Sequence, residues 1–477
     1  MTNFSESTVL VAGLGISGKS VIEALTPQVA RVVTYDQKKP EADYHTAEEI
    51  RWEEISLVVT SPAFNPRTDF ILAAQQRNIE VISEVELAWR LRVENKRMQE
   101  PAPWIGITGT NGKTSTTEMT SHMLQSQGYE APAVGNIGKA VSHAAMDCTN
   151  DVLCVELSSF QLHFTYSLQL DCAAITNISA DHLDWHGGME NYAHDKATVY
   201  KNVRKALVYN ADDARVQQLA MQAEVQDSCK RIGVTLSQPQ QGQIGIVNDW
   251  IVDNSGLTGK KNAVKLLNVQ ELPNLLEPNG KPYPHLLQDA LIALALVLGF
   301  GANLEKSLEG LRAFAPGGHR IQTVAQYAPI IGENLSSIRF IDDSKATNAH
   351  AAEASLTSFR QHSVVWIGGG LAKGSRFDDL IERCAQRMRA AVIIGANQEP
   401  MRDALVKHAP DLSVTYIPAN SDHVMRDAIA AAMQYAQPGD VVLLAPACAS
   451  MDQFVSYADR GDQFAQCAKQ WIETHNG

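Results

Sequence analysis

The sequence predicts an α/β protein of three domains, and three observations carry that prediction. Its 477 residues exceed what a single core of ordinary size holds. Short apolar runs alternate with helix-compatible stretches along most of the chain. Two of the turns between such runs and the following helix are rich in glycine, at 13–18 and at 106–112.

Taken in order, the runs at 8–12, 31–35 and 57–60 read as strands separated by helical patterns. Residues 1–95 therefore predict a small Rossmann-like βαβ domain. Its first turn, Gly13-Leu-Gly-Ile-Ser-Gly18, matches the dinucleotide fingerprint, and Asp36 ends the second strand about twenty residues on. A nicotinamide cofactor and a nucleotide-sugar diphosphate fit that turn equally well. The charged, proline-flanked stretch 92–103 reads as a linker. A central domain, 100–316, opens at Gly106-Ile-Thr-Gly-Thr-Asn-Gly-Lys-Thr114 and a helix over 115–125. It continues through strands at 152–156, 173–177 and 206–209. The stretch 234–275, rich in Gln, Gly and Asn, reads as irregular, and 286–298 as a helix. Residues 315–318 form the second boundary. Beyond it, strands at 339–341, 363–368, 391–395 and 441–445 alternate with helices, a second Rossmann-like α/β domain over 317–477. No repeat of 20–50 residues is evident.

Composition narrows the function. The chain is 45% hydrophobic and 19% charged, ordinary for a globular protein. A net charge of −13 argues against a broad nucleic-acid-binding face. No apolar run approaches the ~18 residues of a membrane span. The polar start, Met1 to Ser7, lacks the basic and apolar regions of a secretory leader. The seven cysteines are scattered without a C-x-x-C pattern, which predicts reduced thiols and a cytoplasmic protein.

The segment 106–114 carries the sharpest chemistry. A strand feeding a glycine-rich turn and then a helix aims backbone N–H groups and the helix dipole at one spot, which holds phosphates. Lys113 then reaches the β/γ-phosphates of ATP or GTP, and the Thr114 hydroxyl reaches Mg²⁺. Ile107 stands where the generic pattern has glycine. Glu156, at a strand's carboxyl end beside this turn, is placed to hold Mg²⁺ directly or through water. Asp181, His182 and Asp184 leave the next strand at the same rim. Tyr192 and Lys196 lie one turn apart on one helix face.

These residues resemble the Mur ligase family, ATP-dependent amino-acid ligases of cell-wall precursor synthesis. The matching segments are Gly109-Thr-Asn-Gly-Lys-Thr114, Gly135-Asn-Ile-Gly138, Glu156-Leu-Ser-Ser-Phe-Gln161, Asn177 through His182, and Lys196. His319-Arg320, Asp343-Ser-Lys-Ala-Thr-Asn348 and Pro446-Ala-Cys-Ala-Ser450 complete the set, which runs from about residue 9 to residue 465. The Asp343–Asn348 string is similar to that of the D-glutamate-adding branch. The resemblance implies UDP-N-acetylmuramoyl-L-alanine and D-glutamate as substrates, an acyl-phosphate intermediate, and a monomer without nucleic-acid partners. It implies two Mg²⁺ ions, one near Thr114 and Glu156 and one near His182 and Lys196. An ammonium cannot ligate such an ion. At about 4 Å and an effective dielectric near 20, two unit charges repel by about 4 kcal/mol, and a divalent ion doubles that. The family answers with a carbamylated lysine, here Lys196.

The resemblance further implies that Gly109, Thr110, Asn111, Gly112, Lys113, Thr114 and Ser115 bind ATP together with Asp289, Arg320, Asp343 and Lys345. Lys345 neutralises the transferring phosphate, and closure of the third domain brings it there. Ile16, Ser17 and Asp36 meet the uridine diphosphate, while Asn136 and Ser158 meet the rest of that substrate. Thr347, Lys373, Ser450 and Tyr457 match positions that hold D-glutamate; Tyr457 replaces an expected phenylalanine. Leu286 and Asp289 depart from the usual adenine-contacting pattern, and Ala63 replaces a glycine on the uracil side. Two other readings stand beside this one: a folylpolyglutamate-type or other Mur-type amide ligase, and an NAD-dependent oxidoreductase resting on Gly13–Gly18.

Overall fold

Each apolar run becomes a strand because both faces of the sheets are covered. In the computed structural model, which describes residues 4–277, 280–315, 317–328 and 337–475, the chain divides into two compact units, Met1–Ala315 and Pro316–Gly477. The first unit holds two sheets. One has four parallel strands, β1 (Thr8–Ala12), β2 (Arg31–Tyr35), β3 (Leu57–Thr60) and β4 (Glu80–Ser83), in the order β2-β1-β3-β4. Alternation along β1 sends Leu10 to one core with Val33, Val58 and Phe70. It sends Val9 and Val11 to another with Leu57 and Val59.

The second sheet contains β5 (Trp104–Thr108), β6 (Ala133–Gly135), β7 (Leu153–Glu156), β8 (Cys172–Ile175), β9 (Ala206–Asn210), β10 (Lys230–Val234), β11 (Gln243–Val247), β12 (Trp250–Asp253) and β13 (Val264–Asn268). Their order is β13-β12-β11-β10-β9-β8-β5-β7-β6. The stretch 234–275, expected to be irregular, instead supplies β11–β13, the last two added antiparallel. Its hairpin turns on Asn248 and Asp249, with φ of 47° and 61°. A two-residue turn with both φ positive matches strand twist. The polar, glycine-containing sequence hid these short strands because only part of each is buried. The helix expected at 286–298 extends over Pro284–Phe300, with proline in its first turn and Gly301 at φ 106° closing it. Residues 286–298 are all buried against the sheet and the helix Lys113–Gln125.

The stretch 92–103, expected as a linker, is largely exposed and is anchored at one buried residue. Asn95 is 2% exposed and donates from Nδ2 to the Asn150 carbonyl at 2.7 Å. Buried carboxylates also cross between the two sheets. Glu84 accepts from the Ser142 N–H and hydroxyl at 3.1 and 2.9 Å, and Glu86 from the N–H groups of Tyr166 and Ser167 at 2.8 and 2.9 Å. A buried charge is tolerable only with such partners.

The second unit contains β14 (Gln322–Tyr327), β15 (Ile338–Asp342), β16 (Val364–Gly369), β17 (Met388–Ile394), β18 (Ser413–Tyr416) and β19 (Val441–Leu444), in the order β14-β15-β19-β16-β17-β18. All pair in parallel except β14, an antiparallel edge. The two edge strands escaped the sequence reading because neither has a buried residue. Pro316, within the boundary expected at 315–318, lies outside the described residues.

Candidate active site

Strand β5 delivers the chain to a turn that only glycine can make. Gly109 and Gly112 have φ of 152° and 78°. A Cβ on Gly109 would lie 1.9 Å from Thr176 Oγ1, and one on Gly112 2.2 Å from Asp289 Oδ1. Ile107 needs no such freedom: it is a buried ladder residue between Glu156 and Ala174, and the turn begins two residues later. The segment after β8 holds the turn in place. Thr110 N–H donates to the Asn177 carbonyl and Asn111 N–H to Asn177 Oδ1, both at 2.9 Å. Thr110 Oγ1 lies 2.9 Å from the Tyr192 hydroxyl and accepts from Ser179 N–H at the same distance. Thr114 and Ser115 follow in the first turn of the helix Lys113–Gln125. Buried Asp289 lies against Gly112, so the structure places it at this turn.

Two lysines converge on one carbonyl. Lys113 Nζ donates to Gly109 O at 2.9 Å and Thr110 O at 2.7 Å; Lys196 Nζ donates to the same Gly109 O at 2.7 Å. Burial first, and the charge of Lys113 second, hold the Lys196 amine well below the ordinary lysine value. Glu156, at the end of β7, is 1% exposed. Its Oε1 accepts from Asn136 Nδ2 at 2.7 Å, while its buried Oε2 has no hydrogen-bond partner among the described residues. A buried carboxylate oxygen left open beside a phosphate-binding turn fits a divalent cation. Among the described residues no three His, Cys, Asp or Glu side chains converge as a metal cage. An ion such as Mg²⁺ is commonly held by one or two carboxylates with phosphates and water, so Glu156 suits it. His182 has φ 53°, its Nε2 is 3.6 Å from Asp181 Oδ1, and its ring packs edge-on against Phe160.

The other glycine-rich turn is built differently. Asp36 Oδ2 accepts from Leu14 N–H at 2.9 Å, and its Oδ1 from the N–H groups of Lys38 and Lys39 at 2.9 and 3.2 Å. Burial alone would raise the Asp36 carboxyl, but these bonds bring it below the usual carboxylate range. Ile16 is 83% exposed beside it, with Ser17 next in the helix Ile16–Leu25. Ser158 caps the helix Ser159–His163, exchanging hydrogen bonds with Gln161.

In the second unit, the loops after β15, β19 and β16 meet at the carboxyl ends of three neighbouring strands. Ala447 N–H donates to Ala346 O at 2.9 Å, and Leu371 and Ala449 exchange backbone bonds at 2.9 and 3.1 Å. The loops bearing Thr347, Lys373 and Ser450 are therefore tied together. Lys345 Nζ donates to the Tyr457 hydroxyl at 3.0 Å and sits 4.4 Å from that ring's centre. Burial pushes the Asp343 carboxyl up to about 7, against the Ser355 hydroxyl that donates to it and the nearby charge of Arg320. Arg460, fully buried, donates to Ser344 Oγ and O at 2.9 Å and to Cys448 O at 3.2 Å. Sequence reasoning missed Arg460, and in the first unit it missed Ser159, His163, His186 and Asp195. Of these only Ser159 lies in a segment quoted for the resemblance, Glu156–Gln161, and it received no role there.

Residues 107–262 match the family model described as the Mur ligase middle domain, and residues 319–448 the one described as the Mur ligase, glutamate ligase domain. The UDP-N-acetylmuramoylalanine–D-glutamate ligase of Bifidobacterium adolescentis is 62% identical over 99% of each chain. That of Streptomyces coelicolor is 41% identical over 98% of this chain and 99% of its own. The solved MurF ligase of Thermotoga maritima in complex with ADP shares the fold, with a TM-score of 0.55 at 15% identity over 99% of this chain and 96% of its own. Two domain matches and full-length kinship agree with the phosphate-loop geometry: this chain belongs to the Mur ligase family.

Proposed function

We propose that this chain joins D-glutamate to the L-alanyl carboxyl of UDP-N-acetylmuramoyl-L-alanine, with ATP converted to ADP and phosphate. The full-length kinship to ligases of that name carries the reading. The substrate carboxylate attacks the γ-phosphate, forming an acyl phosphate and releasing ADP. The amine of D-glutamate then attacks the acyl carbon, phosphate leaves, and one amide bond remains.

The turn Gly109–Gly112 and the helix start behind it bind the phosphates, and Lys113 exchanges loop carbonyls for phosphate oxygens. Asn136 orients Glu156 so that Oε2 is offered to Mg²⁺. When bound, the ion neutralises phosphate oxygens and holds them for in-line transfer. Lys196 is buried and its amine is disposed to the neutral form, the form that takes up carbon dioxide. A carbamate there would convert a cation into an anionic oxygen ligand for a second Mg²⁺, with His182 as its further candidate, while Thr114 would join Glu156 at the first. Ile16, Ser17 and Asp36 are assigned to the uridine diphosphate, and Asn136 and Ser158 to the remainder of that substrate. Lys345, Arg320 and Asp343 are assigned to ATP, and Thr347, Lys373, Ser450 and Tyr457 to D-glutamate. We assign these to domains at 1–95, 100–316 and 317–477 of a monomer, and seven free thiols suit the cytoplasm. No helix among the described residues is long and apolar enough to cross a membrane.

An oxidoreductase resting on Gly13–Gly18 leaves the phosphate loop, Glu156 and Lys196 without a task. The test is phosphate release by purified protein with ATP, Mg²⁺ and the muramoyl-alanine nucleotide against a panel of amino acids. Release is expected with D-glutamate; release only with another amino acid, or without the muramoyl nucleotide, overturns the reading.

A further inference from the structure

Four residues outside the expected site form one hydrogen-bonded chain in the first unit, buried at Ser159, His186 and Asp195 and partly exposed at His163. Asp195 accepts from His186 Nδ1 at 2.6 Å and from His163 Nδ1 at 3.0 Å, and His186 Nε2 lies 2.9 Å from Ser159 Oγ. Ser159 and His163 are the first and last residues of the helix Ser159–His163, which begins three residues after Glu156. Asp195 directly precedes Lys196 on the helix Met189–Ala197. Adjacent helical residues point about 100° apart, so the same turn presents Asp195 to the histidines and Lys196 to Gly109 O at 2.7 Å.

We propose that Ser159, His163, His186 and Asp195 act as a positioning clamp that fixes the Lys196 helix against the segment bearing Glu156, and so sets the spacing of the two cation sites that those residues serve. The inference rests on the reading that Glu156 and Lys196 serve those sites. Asp195 grips the short helix at both ends, directly through His163 and through His186 to Ser159. Rotation of the Lys196 helix would therefore break bonds at two separated points. Packing holds the relay as well: the His186 ring stacks on Phe160, with ring centres 5.5 Å apart and planes 7° from parallel, and lies 5.1 Å from the Tyr192 ring.

The order Ser–His–Asp matches a nucleophilic triad, but Ser159 is 3% exposed and His186 6%. A nucleophile must reach an acyl or phosphoryl donor beside prepared N–H donors, and burial denies Ser159 that approach. Positioning is what the geometry leaves.

The test uses the full-length protein and Mn²⁺ as the probe, with binding read from the free-ion paramagnetic resonance signal in the presence of ADP. His186→Phe keeps the stacking and removes both hydrogen bonds. Its Mn²⁺ dissociation constant is expected to rise about tenfold, the scale on which partners that orient metal ligands act, with the KM for D-glutamate changed less than about twofold. Ser159→Ala removes only a hydroxyl and is expected to shift Mn²⁺ binding in the same direction by about threefold, which keeps the test open if the larger change prevents folding. Unchanged Mn²⁺ binding in a folded His186→Phe, or in Ser159→Ala should the former not fold, overturns the clamp, provided Glu156→Gln weakens it. If Glu156→Gln also leaves binding unchanged, the cation reading itself falls and takes the clamp with it.

Discussion

The first unit contains two glycine-rich strand-to-helix turns that look alike in sequence and differ in charge. After β5, two lysines donate to the Gly109 carbonyl, and the loop N–H groups of Thr110 and Asn111 are tied to Asn177. After β1, a carboxylate takes the Leu14 N–H, and no lysine side chain is hydrogen-bonded into the turn among the described residues. Glycine supplies the backbone path in both cases. On the function proposed above, the surrounding charge separates the two paths: the first suits concentrated anionic oxygens, and the second suits a ligand that tolerates Asp36 and an exposed Ile16.

Substitutions can break this contrast. The largest effect is expected from Lys113→Ala, which should lower the rate of phosphate release by about 10³-fold while leaving binding of the uridine substrate nearly intact. Phosphate release and titration calorimetry check the two halves, and equal activity would dissolve the distinction between the turns. Asp36→Ala should do the converse. Loss of its charge-assisted bonds should raise the KM for the uridine nucleotide about tenfold with kcat nearly unchanged, and a larger effect on the KM for ATP would reverse the assignment.

The smallest effect concerns the second unit, where a carboxylate rather than an amine is displaced by burial. Asp343 ionises at about 7 in the folded protein against an ordinary value of 3.8. Between those values the folded state keeps a proton that the unfolded state releases, so its contribution to stability falls as pH rises through that window and is flat above it. Asp343→Asn should remove this slope and raise the melting temperature relative to the parent by about 3 °C at pH 8, with no gain at pH 4. Parallel melting curves across that range would show that Asp343 is not displaced.

The strand–turn–helix path after β5 was legible because its glycines and Lys113 lie within one short run, from Gly106 to Thr114, whereas the Asn177 bonds that hold it come from a distant segment. The central strands were legible for a similar reason: burial on both faces demands continuous apolar runs. Edge strands β14 and β18 and the hairpin at Asn248–Asp249 left weaker traces, since partial exposure relaxes composition. Asp289 was legible as a departure from pattern, yet its place against Gly112 came from how the helix Pro284–Phe300 packs.

By itself, the order of residues determined the α/β class, the two phosphate-type turns and the identity of the side chains offered at each strand end. Only the tertiary structure decided that Lys196 shares a carbonyl with Lys113, that Glu156 keeps one oxygen open, and that Asp195 joins His163 to His186. Strand and helix periods are local and are written along the chain. Which distant side chains meet depends on register and on helix rotation, and packing sets both.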